Sequence, residues 1–147
     1  MEKARRRPSP ATAIAIVALV IALTGTAGAA IDSSAPRAPL TYTNLTLVNG
    51  WQAYGSGTRT PSAAIGSDGI VHLRGAMYQD PAGTELAMTL PLKFRPSGLI
   101  YVPVDMCNAT NGRLYIYKTG KTYVEGEFGD ADSQCFTSLE GVSFAKN

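Results

Sequence analysis

Histidine occurs once in this chain of 147 residues, at His72, and cysteine twice, at Cys107 and Cys135. One histidine and two distant cysteines match no zinc-ligand spacing, so no metal is expected. Nucleophilic catalysis needs a base beside its nucleophile, and no serine or cysteine is poised with His72. The chain is therefore expected not to be an enzyme, with no catalytic residue and no cofactor. Beyond Ala30 no stretch keeps an apolar period of 3.6 residues, which excludes a helical bundle. Basic excess is missing there too. Four of the 13 Lys and Arg and one of the 11 acids precede Ala30, leaving nine against ten. With no surplus to neutralise phosphates, nucleic acid is not an expected partner.

What is present begins with a targeting pattern. The run from Met1 to Arg7 is basic, and the 24 residues from Pro8 to Ile31 carry no charge. The apolar part, 11–23, has signal-peptide length, and the small residues up to Ala30 contain an A-x-A-type cleavage site. An uncleaved anchor is the competing reading, since such a run can cross a ~30 Å hydrocarbon layer. Gly25 and Gly28 weaken the helix where an anchor should continue, which favours cleavage after Ala29 and a secreted protein. The expected organisation is a signal peptide or anchor at 1–29, a small, proline-bearing linker at 30–39 and one domain at 40–147.

From Leu40 onward, short apolar runs are broken every eight to twelve residues by Gly, Pro, Asn or Asp, the rhythm of an all-β, antiparallel sandwich or barrel. Two hairpins have a definable register. A three-residue loop at Ser67-Asp68-Gly69 sets Ile65 opposite Val71 and Ala63 opposite Leu73. Ala63, Ile65, Val71, Leu73 and Met77 then share the inner face, with Gly69 left-handed and His72 outward beside Ile70 and Arg74. A two-residue loop would mix core and polar faces. Likewise, a loop at Lys118-Thr119-Gly120 puts Leu114 and Ile116 on the face of Val124, with Phe128 further along. Arg113, Tyr115, Tyr117, Tyr123, Glu125 and Glu127 take the other face. Further strands are expected at Leu45–Trp51, Thr84–Leu90, Leu99–Asp105 and Cys135–Phe144. Pro103 cannot donate to a ladder, which makes the third an edge strand or bulged. The last strand changes apolar parity, which a bulge at Glu140-Gly141 repairs, and it is expected to be central.

In an oxidising compartment Cys107 and Cys135 most simply form a disulfide. The segment "CNATNG" then reads as a turn stapled by Cys107 rather than a glycosylated loop, although Asn44-Leu45-Thr46 and Asn108-Ala109-Thr110 fit the sequon pattern. Asp130-Ala131-Asp132-Ser133 lacks the later ligands of a calcium loop and reads as a solvated turn.

The ordered motifs "NGWQAYG", "DGIVHLRG", "TLPLKFRPSG", "GRLYI" and "SLEGVSF" together resemble the small β-sandwich domains at the ends of bacteriophage tail-fibre and minor tail proteins, and of related short exported bacterial proteins. The resemblance covers about a hundred residues. It implies a jelly-roll-like domain, often a homotrimer, that contacts a cell surface or its glycans, and it assigns no binding residues. The export signal and the cysteine pair depart from the phage pattern. The leading expectation is a secreted, non-enzymatic module that binds a glycan or cell-wall polymer. The alternative is a structural homotrimer assembled through the tyrosine-bearing face. In both, the contact surface is Arg113, Tyr115, Tyr117, Tyr123 and Glu125, with the loops around Trp51 and Tyr54, elsewhere on the domain, as a second choice.

The export reading is checked by mass spectrometry of protein recovered from culture medium, which should show a chain beginning near Ala30. Recovery of only full-length, membrane-bound protein would establish the anchor instead.

Overall fold

Alternating apolar and polar residues become paired strands through the region that the computed structural model describes, residues 38–147. The expected signal segment and most of the expected linker lie outside the described residues. In chain order the strands are β1 (Thr43–Asn44), β2 (Trp51–Ala53), β3 (Ser62–Ile65), β4 (Ile70–Arg74), β5 (Ala76–Gln79), β6 (Leu86–Thr89), β7 (Ile100–Asp105), β8 (Asn111–Ile116) and β9 (Lys121–Gly126). A short helix, α1 (Asp130–Cys135), is followed by β10 (Thr137–Ser138) and β11 (Ser143–Ala145). All pairings are antiparallel, in three sheets ordered β1-β3-β4-β11, β10-β5-β2 and β6-β9-β8-β7. The class is all-β and sandwich-like.

β4 and β5 are two halves of one run bent at Gly75, whose φ of +98° disfavours any side chain. A Cβ there would stand 2.5 Å from the carbonyl oxygen of Arg59. Two more groups fix the bend. Glu140 accepts the Gly75 N–H at 2.9 Å, and its carboxylate holds the Arg59 guanidinium in two bonds of 2.9 and 2.6 Å. Arg59 closes the circuit by accepting the Ala76 N–H. The first two sheets therefore share a spine.

The third sheet has a Greek-key course. β7, β8 and β9 form a meander, and β6 lies beside β9, so the 90–99 connection crosses from one edge to the other. That connection places a 3₁₀ turn, Leu92–Phe94, whose Phe94 is buried. Val71, Leu73 and Met77 from the spine meet Leu114, Ile116 and Val124 from the third sheet, with Met88, Leu90, Leu139 and Val142 completing one core. Each large aliphatic or aromatic side chain buried there contributes about 1.5–3 kcal/mol. Isolated bridges tie Leu47, between β1 and β2, to Met88 of β6, and Met106, just after β7, to Thr137 of β10.

Both hairpin registers agree with the sequence expectation. Ile65 pairs with Val71 and Ala63 with Leu73, and Gly69 is left-handed at φ +77°. Leu114 pairs with Val124, Tyr115 with Tyr123 and Arg113 with Glu125. β7 is an edge strand, the first of the two placements that Pro103 allows. β6 falls within the expected 84–90 run.

Other expectations need correction. Ile65, at the end of its strand, is 37% exposed, because the hairpin tip runs past the core. Phe128 is 78% exposed: β9 stops at Gly126 and the chain turns before Phe128 can continue the alternation. Leu45–Trp51 is not one strand: β1 ends before it, β2 begins at its last residue, and between them Leu47 makes an isolated bridge to Met88 of β6. Cys135 ends α1 rather than opening a strand, so the acidic Asp130–Ser133 segment is helical. The expected last strand is β10 plus β11, each at a sheet edge rather than central. Its parity change does fall at Glu140-Gly141. From Ser138 to Ser143 the chain advances five residues while its partner retreats four, from Ala76 to His72.

Cys107 and Cys135 are bonded, with Cα atoms 5.9 Å apart. The turn they anchor has Asn108 and Ala109 both left-handed, at φ +60° and +56°, a conformation costing about 1–3 kcal/mol per non-glycine residue. Asp132 of α1 helps hold it, accepting from Asn108 Nδ2 at 2.9 Å and Thr110 Oγ1 at 3.2 Å. "CNATNG" is thus a turn tied to α1 by one disulfide and two hydrogen bonds.

Two outcomes test these ties. Reducing the disulfide, which closes a loop spanning 28 residues, should cost roughly 3–4 kcal/mol. The melting temperature should then fall by on the order of 10 °C; free thiols in the native protein would contradict the bond. Glu140 tests the bend. Partial burial opposes its ionisation, but the bonds from Arg59 and Gly75 and the charges of Arg59 and Arg74 outweigh this and lower its pKa below the usual carboxylate value. A depressed folded-state pKa adds stability above the unfolded pKa and loses it as pH falls through the folded one. Glu140→Gln should therefore melt below the native protein at pH 7, with the gap closing in acid melts below about pH 4.

Candidate functional site

The outer face of the third sheet is set by parity. Thr122 and Val124 of β9 point inward and are fully buried, so Lys121, Tyr123 and Glu125 point out. On β8, Leu114 and Ile116 are buried, which turns Arg113, Tyr115 and the following Tyr117 outward. The five residues expected to form a contact surface are thus brought together.

β7 adds one more. Tyr101 pairs with Tyr115, which pairs with Tyr123, so three tyrosines form a row across the sheet. Tyr101 is 58% exposed and Tyr117 42%. Tyr101 meets Tyr115 edge-on, with ring centroids 5.0 Å apart, and Tyr117 meets Tyr123 at 5.6 Å. Such edge-to-face pairs add about 0.5–1.5 kcal/mol beyond burial and fix ring orientation. Arg113 lies 5.0 Å from the Tyr115 ring centroid and 5.9 Å from that of Tyr101. Its Nε donates to Glu125 Oε2 at 2.6 Å, and the Tyr115 hydroxyl donates to the same oxygen. With about half of both side chains exposed, the ion pair contributes under about 1 kcal/mol; its effect is to hold ring and guanidinium in place.

Between the rings lies a groove of about 190 Å³ lined by Glu85, Tyr115, Tyr117, Tyr123, Val124 and Glu125. A second depression adjoins it along Asn111, Gly112, Arg113, Glu125, Gly126 and Glu127. Gly112 lets this end of the sheet form: a Cβ there would overlap the Met106 thioether and the Glu125 carbonyl.

Trp51 and Tyr54 are not part of this face. Trp51 is a core residue, 4% exposed, and its indole N–H donates to the Thr84 carbonyl at 3.1 Å. Tyr54 packs edge-on against Phe136 and Tyr78. Sequence reasoning missed Tyr101 and Glu85. Tyr101 was readable, because Ile100, Val102 and Val104 share the inward parity of an edge strand beside β8. Glu85 had no local signal, since β6 joins β9 only through long-range pairing with a register shift.

His72 is half-buried on β4 between Ala64 and Ser143. The Ser62 hydroxyl accepts from Arg74 Nε and donates to the Thr60 carbonyl. Among the described residues, no group of three or more His, Cys, Asp or Glu is placed to hold a metal ion. No protein-family model, curated protein or solved structure significantly matches the chain, so the likeness to phage tail domains rests on the quoted motifs alone.

Proposed function

We infer that this protein is an exported, non-enzymatic binding module of jelly-roll-like build that contacts a glycan or other cell-envelope polymer through the outer face of the third sheet. The observation that carries the reading is the tyrosine row with Tyr117, held on a rigid sheet and left partly open to solvent. Tyrosine presents a flat apolar body to a sugar ring and a hydroxyl to its polar rim. Arg113 and Glu125 add directional hydrogen bonding beside it. The basic, apolar and small-residue pattern before Ala30 supports export. The Greek-key course of β6 to β9 supports the jelly-roll relation.

Because Tyr101 and Tyr117 are the exposed members, Tyr101→Ala with Tyr117→Ala should melt within a few degrees of the native protein while losing retention on insoluble cell-wall polysaccharide about tenfold or more. Unchanged retention would move the contact surface off this sheet. Sedimentation of the native protein tests the homotrimer: a stable trimer that dissociates on the double substitution, with no polysaccharide retained, would make the face a subunit interface.

A further inference from the structure

The groove between the tyrosines has an uneven charge. Glu125 is matched by Arg113 through Oε2. Glu85 is exposed at the groove wall, and among the described residues no cation forms an ion pair with it. Lys121 leaves from the same face opposite Tyr117 but does not line the groove. The lining and its matched arginine thus carry one uncompensated negative charge.

The rings show the same asymmetry. Arg113 already occupies the cation–π positions over Tyr101 and Tyr115. Tyr117 and Tyr123, set at 70° to each other, have no cation over them among the described residues. Two inclined tyrosine rings with a carboxylate at the rim attract a positive, weakly hydrated head group. The space is also small. About 190 Å³ is below the roughly 300–1,000 Å³ of drug-sized pockets and suits one head group or one sugar.

We propose that the groove of Tyr117, Tyr123 and Glu85 is a subsite for an organic ammonium group, so that the ligand of this face is cationic rather than neutral. The ring faces take the N-methyl or C–H surface around the nitrogen, and Glu85 supplies the counter-charge. This rests on the outer face being the contact surface. It narrows the ligand to a polymer or head group bearing an amine, such as a non-acetylated amino sugar or a quaternary ammonium.

The test is an NMR titration of the full chain with choline and with its neutral isostere 3,3-dimethylbutan-1-ol, followed at the tyrosine ring signals. Choline should shift Tyr117 and Tyr123 but not Tyr54, and bind about tenfold more tightly than the alcohol. Glu85→Gln should reduce that preference, and Tyr117→Leu should abolish it. Glucosamine against N-acetylglucosamine separates the sources: preference for the free amine identifies an amino sugar, whereas choline binding alone identifies a quaternary head group. Equal binding of choline and alcohol, or a preference untouched by Glu85→Gln, would overturn the proposal. Polysaccharide retention measured on the same samples separates the two readings. Retention without ammonium preference removes only the subsite; loss of both removes the contact face as well.

Discussion

Most of the architecture depends on the spine keeping its bend at Gly75. Five residues before it pair in one sheet and four after it in another, so the angle there decides whether Val71, Leu73 and Met77 converge on one core. A left-handed glycine permits the angle but does not choose it. Glu140 chooses it by binding the Gly75 N–H and Arg59 together. The carboxylate reaches that position because Glu140 and Gly141 form the extra step in the strand alongside. Bulge, bend and ion pair therefore form one device, although its members lie up to 81 residues apart.

The outer face of the third sheet depends on a more local constraint. The Lys118–Gly120 turn is closed by the Gly120 N–H on the Tyr117 carbonyl, which fixes the pairing of β8 with β9 and hence the side on which every tyrosine stands. A slip of one residue would bury Tyr115 and expose Ile116, exchanging a strong core for a weak one. Packing of the core thus enforces the arrangement of the surface. Tyr101 is bound into it by the β7–β8 hairpin, whose turn is the strained pair Asn108-Ala109.

This difference in range explains what could be read from the sequence. Hairpin registers follow from turn residues and period-two alternation within about ten residues, and both were legible. Pro103 narrowed β7 to an edge or a bulged strand, and the parity change at Glu140-Gly141 followed from counting apolar residues. Trp51 was less readable: beside Asn49-Gly50 it looks like a loop aromatic, yet its indole closes the core through the distant Thr84 carbonyl. The helix at Asp130–Cys135 was hidden for a related reason. Six residues with no apolar stripe have no helical signature, and the segment is held by ties to Asn108, Thr110 and Cys107 instead. Glu85 became a groove residue only through the irregular register of β6 on β9.

The disulfide connects stability with surface geometry. Cys107 and Asp132 hold the left-handed pair at the end of β7, and the same turn delivers the chain into β8 with Arg113 beside Tyr101. A looser turn would still permit a hairpin, but it would weaken the constraint on the spacing of Arg113, Tyr101 and Tyr115. Tyrosine loses little conformational freedom on binding, having two side-chain torsions, and edge-to-face pairing restricts those further. For the proposed ligand, the ordering cost is thus met during folding rather than at the encounter. A shallow groove can then hold a small group with few contacts, provided its walls do not move. In the proposed contact face, the strained turn, the bond to α1 and the paired rings all act to hold those walls in place.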